Sequence, residues 1–482
     1  MPRASAPANK RLLLAERPEE LDGCIDIFTI LQRVGALYLG FRRAQVAGLL
    51  DSCVRKATLG GGLGAYDLPI PGRSATLASV IQPASRLAPR LATLKPSATA
   101  SFLQKAIDLA ARGVEVLPFG VGEPDFDTPA HIRQAAQRAL DEGKTRYTAV
   151  RGVAPLRQAI CADSARRRGG VTHHPGEVVV SAGAKHSLFN LCFALLGPGD
   201  EAIVPTPCWV SYPEQCRLAG AEPVLVETSA EQGFKLTADA LAAALNPRTR
   251  ALFLCTPNNP TGAAYSAGEL TALAEVLRAH HCWIVVDEIY ASLVYEGFEQ
   301  RSLLQVAPDL RDRIVIVDGV SKRYAMTGFR IGWLLGPQIV ADACDALQSQ
   351  ATTNPTTFAQ YAALAALTGP EAPVEAMRRA FEGRRRLVVA GLNAIPGLRC
   401  RPPEGAFYAF FDVRAYLGRR LDHVIVGSDV ELAELLLERA HCAFVPGSAF
   451  CAPGYLRMSY AASEAQLEEG LRRLGETLRA LT

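Results

Sequence analysis

The residues best suited to take part in a reaction are polar side chains that directly follow short apolar runs. Asn259 stands in "CTPNNPTG", Asp287 and Tyr290 end the stretch "VVDEIY", and Ser321 and Lys322 end "VDGVSK". Because ligands of parallel α/β sheets bind beyond the carboxyl ends of the strands, we expect these side chains to converge. They supply an amide, a carboxylate, a phenol, a hydroxyl and an amine.

A second group of residues is suited to an anion. In "SAGAKHSLFN" small residues lead from an apolar run into a helix, so the backbone amides of Gly183, Ala184 and Lys185 would point at a ligand over the helix start. Arg330 follows Lys322 by eight residues and adds a cation. Together with the strand-end residues, these are the partners that a phosphorylated pyridine aldehyde needs.

Each of these residues also has a structural interpretation. Asp287 and Tyr290 are placed where residues cap a helix, Asn259 is a turn former, and a lysine after a strand is more often solvated than catalytic. Singly, each residue is weak evidence. Because all of them follow predicted strands, together they favour a ligand-binding site over these structural interpretations.

The surrounding pattern predicts an α/β fold with a mostly parallel sheet and helical crossovers. Seven runs are predicted as strands buried on both faces: 178–180, 202–204, 223–226, 251–254, 284–286, 314–317 and 333–335. After residue 369 the pattern is helix, strand, helix, strand, helix, which predicts a smaller α+β unit. The predicted division is an N-terminal extension (1–84), the first part of a small domain (85–129), a large domain (130–369) and the rest of the small domain (370–482).

Composition limits the classes of function. The 482 residues carry 51 Lys and Arg against 48 Asp and Glu, which is not the basic balance of a nucleic-acid-binding protein. No apolar stretch approaches the roughly 20 residues of a membrane helix. The 12 cysteines are scattered singly, so neither disulfides nor a zinc site is expected.

The motifs "NPTG", "DEIY" and "SKRYAMTGFRIGW" resemble those of the fold-type I pyridoxal-phosphate enzymes, specifically the class I aminotransferases. The resemblance covers nearly all of residues 85–482 and extends to "GEPDFDTP", "PEGAFY" and "LRMSYA". It implies a large domain with a seven-stranded-type, mostly parallel sheet, a smaller α+β domain, pyridoxal 5′-phosphate as cofactor, and an enzyme that moves amino groups.

The resemblance also implies roles at the pyridine ring. Lys322 resembles the Schiff-base lysine, which holds the cofactor and shuttles the proton at the substrate Cα. Asp287 would keep the pyridine nitrogen protonated. Tyr290 and Asn259 would hydrogen-bond the ring oxygen, so that Lys322 can act near neutral pH, and Trp209 would stack on the ring.

At the cofactor phosphate, Arg330 resembles the family's phosphate arginine, assisted by Ser321, the turn of residues 183–185 and Tyr147. Tyr147 is expected to reach across from a second subunit, which implies a homodimer with shared active sites. Arg323, beside Lys322, is interpreted as a solvated cation without a role.

Substrate recognition is the next implication. Arg457 resembles the clamp for the substrate α-carboxylate, with Gly122 closing over the substrate. The segment "LKPSAT" and the lysine of "GAKHSL" resemble the 1β-type aspartate and prephenate aminotransferases, which implies that Thr99 and Lys185 recognise a second carboxylate. The expected partners are aspartate or glutamate with 2-oxoglutarate, oxaloacetate or prephenate.

Three alternatives remain open at this stage: an aromatic or glutamine-type transaminase on the same fold, a pyridoxal-phosphate C–S lyase, and a regulator that binds the cofactor as a sensor. The Gly- and Ser-rich, acid-poor part of residues 1–84 favours a transit peptide, most of all for a plastid, with a mitochondrial or cytoplasmic location or an extension without function as alternatives.

Overall fold

The computed structural model describes residues 88–91, 94 and 98–482, all within the compact unit Pro83–Thr482. The predicted extension, 1–84, lies outside the described residues. The domain boundaries drawn from the sequence stay predictions.

A seven-stranded sheet dominates the first two thirds of the described chain, in the order β1-β7-β6-β5-β4-β2-β3. Its strands are β1 Val178–Ser181, β2 Glu201–Thr206, β3 Glu222–Glu227, β4 Thr249–Cys255, β5 Trp283–Asp287, β6 Ile314–Gly319 and β7 Gly332–Leu335. The strands β2 to β6 pair in parallel, whereas β7 is antiparallel to both β1 and β6. The predicted mostly parallel sheet is therefore confirmed, and each of the seven predicted runs lies within one strand.

One detail of that prediction is wrong. The strand β3 is not buried on both faces, because it is an edge strand of the sheet. Only Pro223 is buried, the other residues are half-buried or exposed, and Leu225 is 38% exposed.

Helices cover both faces of this sheet. The helices of this region are α2 Ala130–Asp141, α3 Ala154–Arg167, α4 Ala184–Leu195, α5 Ser211–Leu218, α6 Ala238–Ala244, α7 Ala267–Arg278, α8 Leu303–Val306, α9 Val320–Arg323, α10 Gln338–Ala351 and α11 Thr357–Thr368. The helices outside this region are α1 Ala98–Ala111, α12 Ala372–Asn393, α13 Asp429–Arg439 and α14 Glu464–Arg479. Successive side chains of a strand point to opposite faces. Accordingly Ile284 and Val286 join one core and Val285 joins the other.

The C-terminal part contains a four-stranded sheet in the order β12-β13-β9-β8. Its strands are β8 Arg399–Cys400, β9 Tyr408–Asp412, β12 Val445–Pro446 and β13 Tyr455–Ser459, and a two-stranded hairpin is formed by β10 Arg420–Leu421 and β11 Val424–Ile425. A separate core lies between this sheet and α12, α13 and α14. Phe119, from the segment after α1, belongs to it and stacks on Phe444 with 5.6 Å between ring centroids.

Candidate active site

A cavity of about 400 Å³ opens where strands of the large sheet end. Its lining includes Cys255 at the end of β4, Asp287 at the end of β5, and Lys322 just after β6. The C-terminal sheet contributes Tyr408 and Arg457. The volume and the mixed apolar and charged lining are typical of a small-molecule site.

Asp287 is a buried carboxylate held by two hydrogen bonds. Its Oδ2 accepts from the hydroxyl of Tyr212 at 2.7 Å, and its Oδ1 accepts from the backbone N–H of Ile289 at 3.1 Å. Burial raises the pKa of Asp287 to about 6, because desolvation disfavours the charged form more than these two donors favour it. A cation near this carboxylate would bring it back to the ionised state.

Lys322 lies in the one-turn helix α9, directly after β6, and its Nζ donates to the backbone carbonyl of Gly122 at 2.6 Å. Burial lowers the pKa of Lys322 to about 8; the carboxylates of Glu123 and Asp287 oppose this shift, and the positive charges of Arg330 and Arg457 add to it. A lysine with such a pKa has a substantial neutral fraction near neutral pH, which a general base or nucleophile requires.

Arg457 is an arginine buried inside the cavity wall. Its Nη1 donates to Asn259 Oδ1 at 2.9 Å, and its Nη2 donates to the carbonyl of Gly120 at 2.7 Å. The guanidinium lies 4.4 Å from the ring centroid of Tyr408 and 5.0 Å from that of Phe450. No carboxylate is paired with it among the described residues, and its Nε has no hydrogen-bond partner there. The arginine is thus positioned and has donor capacity left for an anion.

Tyr290 and Tyr408 share a hydrogen bond between their hydroxyls at 2.9 Å, and both are buried. Burial raises the pKa of both phenols, so both are neutral at physiological pH. The ring of Tyr408 also packs against the guanidinium of Arg457. Its hydroxyl lies 3.0 Å from the position that a Cβ on Gly122 would take, so Tyr408 contacts Tyr290 and Arg457 and lies close to Gly122.

The start of α4 forms a cradle without a side-chain cap. Gly183 precedes the helix with φ 86°, a conformation that favours glycine. A Cβ at this position would lie 2.6 Å from Nη2 of Arg330, which itself donates to the carbonyl of Ala182 at 3.3 Å. The N–H of Gly183, predicted to face the anion, donates instead to the carbonyl of Ser181 at 2.7 Å. The amides of Ala184 and Lys185 at the helix start, next to an arginine, fit a phosphate group.

Lys185, in the first turn of α4, lies at the mouth of the cavity. Its Nζ is 4.9 Å from the ring centroid of Trp209, and both residues line the cavity. Partial burial and the charge of Arg330 lower the pKa of Lys185.

Comparison with known proteins agrees with this geometry. The model of the family "Aminotransferase class I and II" matches residues 114–474. The aspartate aminotransferase of Geobacillus stearothermophilus is 46% identical over 399 residues, which are 82% of this chain and 99% of the relative. The aspartate/prephenate aminotransferase of Cereibacter sphaeroides is 45% identical over 390 residues, 80% of this chain and 97% of the relative. The crystal structure of the aspartate aminotransferase from Rhizobium meliloti superposes with a TM-score of 0.80 at 43% identity, covering 82% of this chain and all of that one.

The chain belongs to the class I and II aminotransferases. The predicted family, its fold-type I architecture and the assignment as an aminotransferase are confirmed. The cofactor of this family is pyridoxal 5′-phosphate, and the cavity fits it: a buried lysine, a buried carboxylate and an uncapped helix start beside an arginine all occur in one site. In residues 98–482 there is no group of His, Cys, Asp and Glu that could hold a metal, and no helix there is long and apolar enough to cross a membrane.

Most of the predicted site residues of this aminotransferase line the cavity described above. These are Gly122, Ala184, Lys185, Trp209, Asn259, Asp287, Tyr290, Ser321, Lys322, Arg330 and Arg457, and Gly183 is adjacent to them. Tyr147 is not among them and is 87% exposed. Thr99 falls in the first turn of α1, and its side chain is outside the described residues.

Sequence reasoning missed two tyrosines of the site. Tyr212 lies in the stretch "CWVSYPE", close to Trp209, and Tyr408 lies in "PEGAFY", but neither was assigned a role. The available signal was a phenol inside a family-like motif. It could not be used, because the partners Asp287 and Tyr290 are 75 and 118 residues away in the chain.

The interpretation of Arg323 as a solvated cation is wrong. Arg323 is only 5% exposed, and its Nη1 donates to both carboxylate oxygens of Asp163 at 2.9 and 3.0 Å. Its Nη2 reaches Glu371 at 2.7 Å. Helix α9 is therefore attached to α3 by a buried ion pair directly beside Lys322.

Proposed function

We propose that this aminotransferase moves an amino group between an acidic amino acid, aspartate or glutamate, and a 2-oxo acid, with each site residue in the role described below. The observation that carries the proposal is that Lys322, Asp287 and Arg457 line one cavity. Transamination requires three distinct groups: an amine of lowered pKa, a buried carboxylate and an arginine with spare donors.

The residues around the ring would hold and orient the cofactor, which supplies the electron sink for chemistry at the substrate Cα when it is bound. Asp287, oriented by Tyr212, would pair with the pyridine nitrogen. Tyr290 and Asn259 would donate to the ring oxygen, and Trp209 would cover one face. The pairs Tyr290 with Tyr408 and Asn259 with Arg457 fix these side chains before any ligand arrives.

The phosphate would be held by Arg330, Ser321 and the amides of residues 184–185. The close approach of Gly183 to Arg330 supports this assignment, because a side chain at position 183 would displace the guanidinium from the helix start. Tyr147 would complete this end of the site from a second subunit, consistent with its 87% exposure within one chain.

Lys322 would bind the cofactor and move the proton at the substrate Cα. Its hydrogen bond to the carbonyl of Gly122 fixes the amine, and its lowered pKa keeps part of it neutral at the working pH. Arg457 would bind the substrate α-carboxylate, with Gly122 over the bound substrate.

A substrate with a second carboxylate is favoured by two facts. The similar proteins carry the names aspartate and aspartate/prephenate aminotransferase, and Lys185 brings a further cation to the cavity mouth. Thr99 would assist it. An unpaired charge in a closed site costs several kcal/mol, so a dicarboxylate needs such a partner.

The test of this function is a panel of amino donors against 2-oxoglutarate, oxaloacetate and prephenate, with wild type, Lys322→Ala and Lys185→Met. Lys322→Ala should abolish turnover with every pair. Lys185→Met should lower kcat/KM for dicarboxylates, by raising the corresponding activation free energy by about 2 to 5 kcal/mol. Its effect on a neutral amino acid should be much smaller. Normal transamination by Lys322→Ala would refute the assignment, and equal losses for all substrates would remove Lys185 from selectivity.

A homodimer with shared sites is tested by mixing. Tyr147→Ala and Lys322→Ala each damage a different residue, so a mixture of the two variants, after exchange of subunits, regains activity if Tyr147 acts across the interface. If no activity returns although mixed dimers form, Tyr147 acts within its own subunit or not at all.

The proposal for residues 1–84 is import into an organelle, a plastid most of all, followed by cleavage near residue 85. Its support is the acid-poor, Gly- and Ser-rich composition of residues 53–84. Sequencing the N-terminus of protein from its native cell tests this proposal, and an intact residue 1 would contradict it.

A further inference from the structure

A buried charge network lies directly behind Asp287. Arg168, the residue that ends α3, donates through Nε to Glu288 Oε2 at 2.8 Å and through Nη2 to Asp318 Oδ2 at 3.1 Å. All three side chains are at most 5% exposed. None of the three was singled out by its sequence context.

The two carboxylates of this network belong to residues that are adjacent to Asp287, one in the chain and one across the pairing of β5 with β6. Glu288 is the next residue in the chain, and its backbone N–H donates to the carbonyl of Val317 at 2.8 Å. In the parallel pairing of β5 with β6, Asp287 stands opposite Val317, so Asp318 is one residue further along the adjacent strand. The three carboxylates thus stand at adjacent positions at the ends of two neighbouring strands, with Asp318 on the face of the sheet opposite to Asp287, because successive side chains of a strand alternate between the faces.

Like charges at such positions oppose the ionisation of one another. After burial and its two donors, the charges of Asp318 and Glu288 are the next causes that raise the pKa of Asp287. Asp318 has a second cation in Arg167, but Glu288 is paired only with Arg168 among the described residues. The charge of Arg168 is therefore the one that neutralises Glu288.

The other groups that face Asp287 do not replace this cation. Tyr212 contributes a neutral hydroxyl from α5, and Cys255, opposite Asp287 on β4, carries a thiol whose pKa is raised by burial. The cationic side chains that line the cavity together with Asp287 are those of Lys185, Lys322, Arg330 and Arg457. The proposed function assigns Lys185 and the two arginines to anions of cofactor and substrate, and it requires the amine of Lys322 in part uncharged.

We propose that Arg168 is a positioning residue for the reaction: by neutralising Glu288 and Asp318 it keeps Asp287 an anion that can face a protonated pyridine nitrogen. The inference rests on the role of Asp287 in the proposed function. It extends the active site by one layer, to a residue that contacts neither cofactor nor substrate.

The test is the affinity of the cofactor-free full-length protein for pyridoxal 5′-phosphate, measured from pH 5 to pH 9 by equilibrium dialysis. In wild type the affinity should fall on the acid side as Asp287 becomes protonated. Arg168→Met should move the midpoint of that fall upward by about 1 pH unit, and Glu288→Gln should move it downward, because one change removes a compensating charge and the other removes a repelling one. The double variant Arg168→Met/Glu288→Gln should return the midpoint to that of wild type.

A merely structural role of Arg168 would give a different pattern. Loss of packing would weaken binding at every pH without moving the midpoint, and the double variant would be no better than the single one. Arg166→Met is the matched control, since Arg166 lies in α3, is 52% exposed and pairs with Asp163 and Glu371 instead; its midpoint should equal that of wild type. If Arg168→Met does not fold, the downward shift in the nearly isosteric Glu288→Gln still decides, and an unchanged midpoint there overturns the inference.

Failure of the inference and failure of the proposed function are separable with Asp287→Asn. If Asp287 has its proposed role, this variant loses the part of the acid-side fall that depends on Asp287, and only the part due to protonation of Lys322 remains. If Asp287→Asn keeps the wild-type profile, the assignment of Asp287 itself is wrong. If Asp287→Asn loses that part of the fall but Arg168→Met and Glu288→Gln leave the midpoint unchanged, only the role of Arg168 is refuted.

Discussion

Replacement of Lys322 by methionine should stabilise the cofactor-free protein at neutral pH and lose that effect in alkaline solution. The reason is the burial of the amine. Between pH 8 and pH 10.5 the unfolded chain still binds the proton of Lys322, whereas the folded chain has released it, because the pKa of Lys322 is lowered to about 8 from 10.5. Stability therefore rises with pH across this window, and the full cost of the buried charge is present below pH 8.

The magnitude follows from the width of that window. One proton contributes about 1.4 kcal/mol for each pH unit, so the benefit of Lys322→Met relative to wild type should be about 3 kcal/mol larger at pH 7 than at pH 10.5. The hydrogen bond to Gly122 and the packing of the new side chain shift both measurements by similar amounts and largely cancel in this difference.

The assay is urea denaturation followed by circular dichroism, on both proteins after removal of cofactor, at the two pH values and one protein concentration. Cofactor must be absent because it binds to Lys322 in the proposed function. Lys105→Met, which deletes a lysine whose side chain is 54% exposed, controls for the loss of one surface charge. A difference between Lys322→Met and wild type that is the same at both pH values would refute the reasoning.

Three further variants test other parts of the site and its support. Arg457→Met should reduce kcat/KM at least about 30-fold, because it removes a buried cation and leaves its acceptors unpaired; steady-state kinetics check this, and a loss confined to cofactor binding would contradict it. Gly183→Ala should weaken cofactor retention in dialysis about 10-fold or more, since its φ of 86° and the 2.6 Å approach to Arg330 oppose a Cβ; full retention would contradict the phosphate assignment. Arg323→Met should lower the free energy of unfolding by about 1 to 3 kcal/mol, since Asp163 loses two of its hydrogen bonds; unchanged urea midpoints would show that the remaining arginines compensate.

Local patterns in the sequence were sufficient to predict the strands and the residues at their ends. A buried parallel strand is a short β-branched run, and its carboxyl end is where the next polar residues stand, so Asp287 and Lys322 could be placed relative to the sheet without coordinates. The exposure of β3 could not be read in the same way. Edge position depends on the order of strands in the sheet, and Pro223, Leu225 and their neighbours resemble an interior strand.

Contacts between distant segments were beyond the reach of sequence patterns. Arg457 and Asn259 are 198 residues apart, and Arg323 and Asp163 are 160 residues apart. Whether the arginine beside Lys322 is solvated or buried is decided by such a distant carboxylate, since a buried charge without a partner is prohibitively costly. The resemblance supplied a role for Arg457, but it offered nothing for Arg323.

The charges around the cavity explain why this site selects anions although the whole chain is nearly neutral. Four cationic side chains, Lys185, Lys322, Arg330 and Arg457, line the described cavity against one carboxylate, that of Asp287. Charges of one sign in a low-dielectric cleft reinforce one another. Burial is the main cause of the lowered pKa of Lys322, and Arg330 and Arg457 add to it by opposing protonation. Binding of a phosphate and of substrate carboxylates would cancel these charges, so the anions that the cavity attracts also reset the protonation of Lys322.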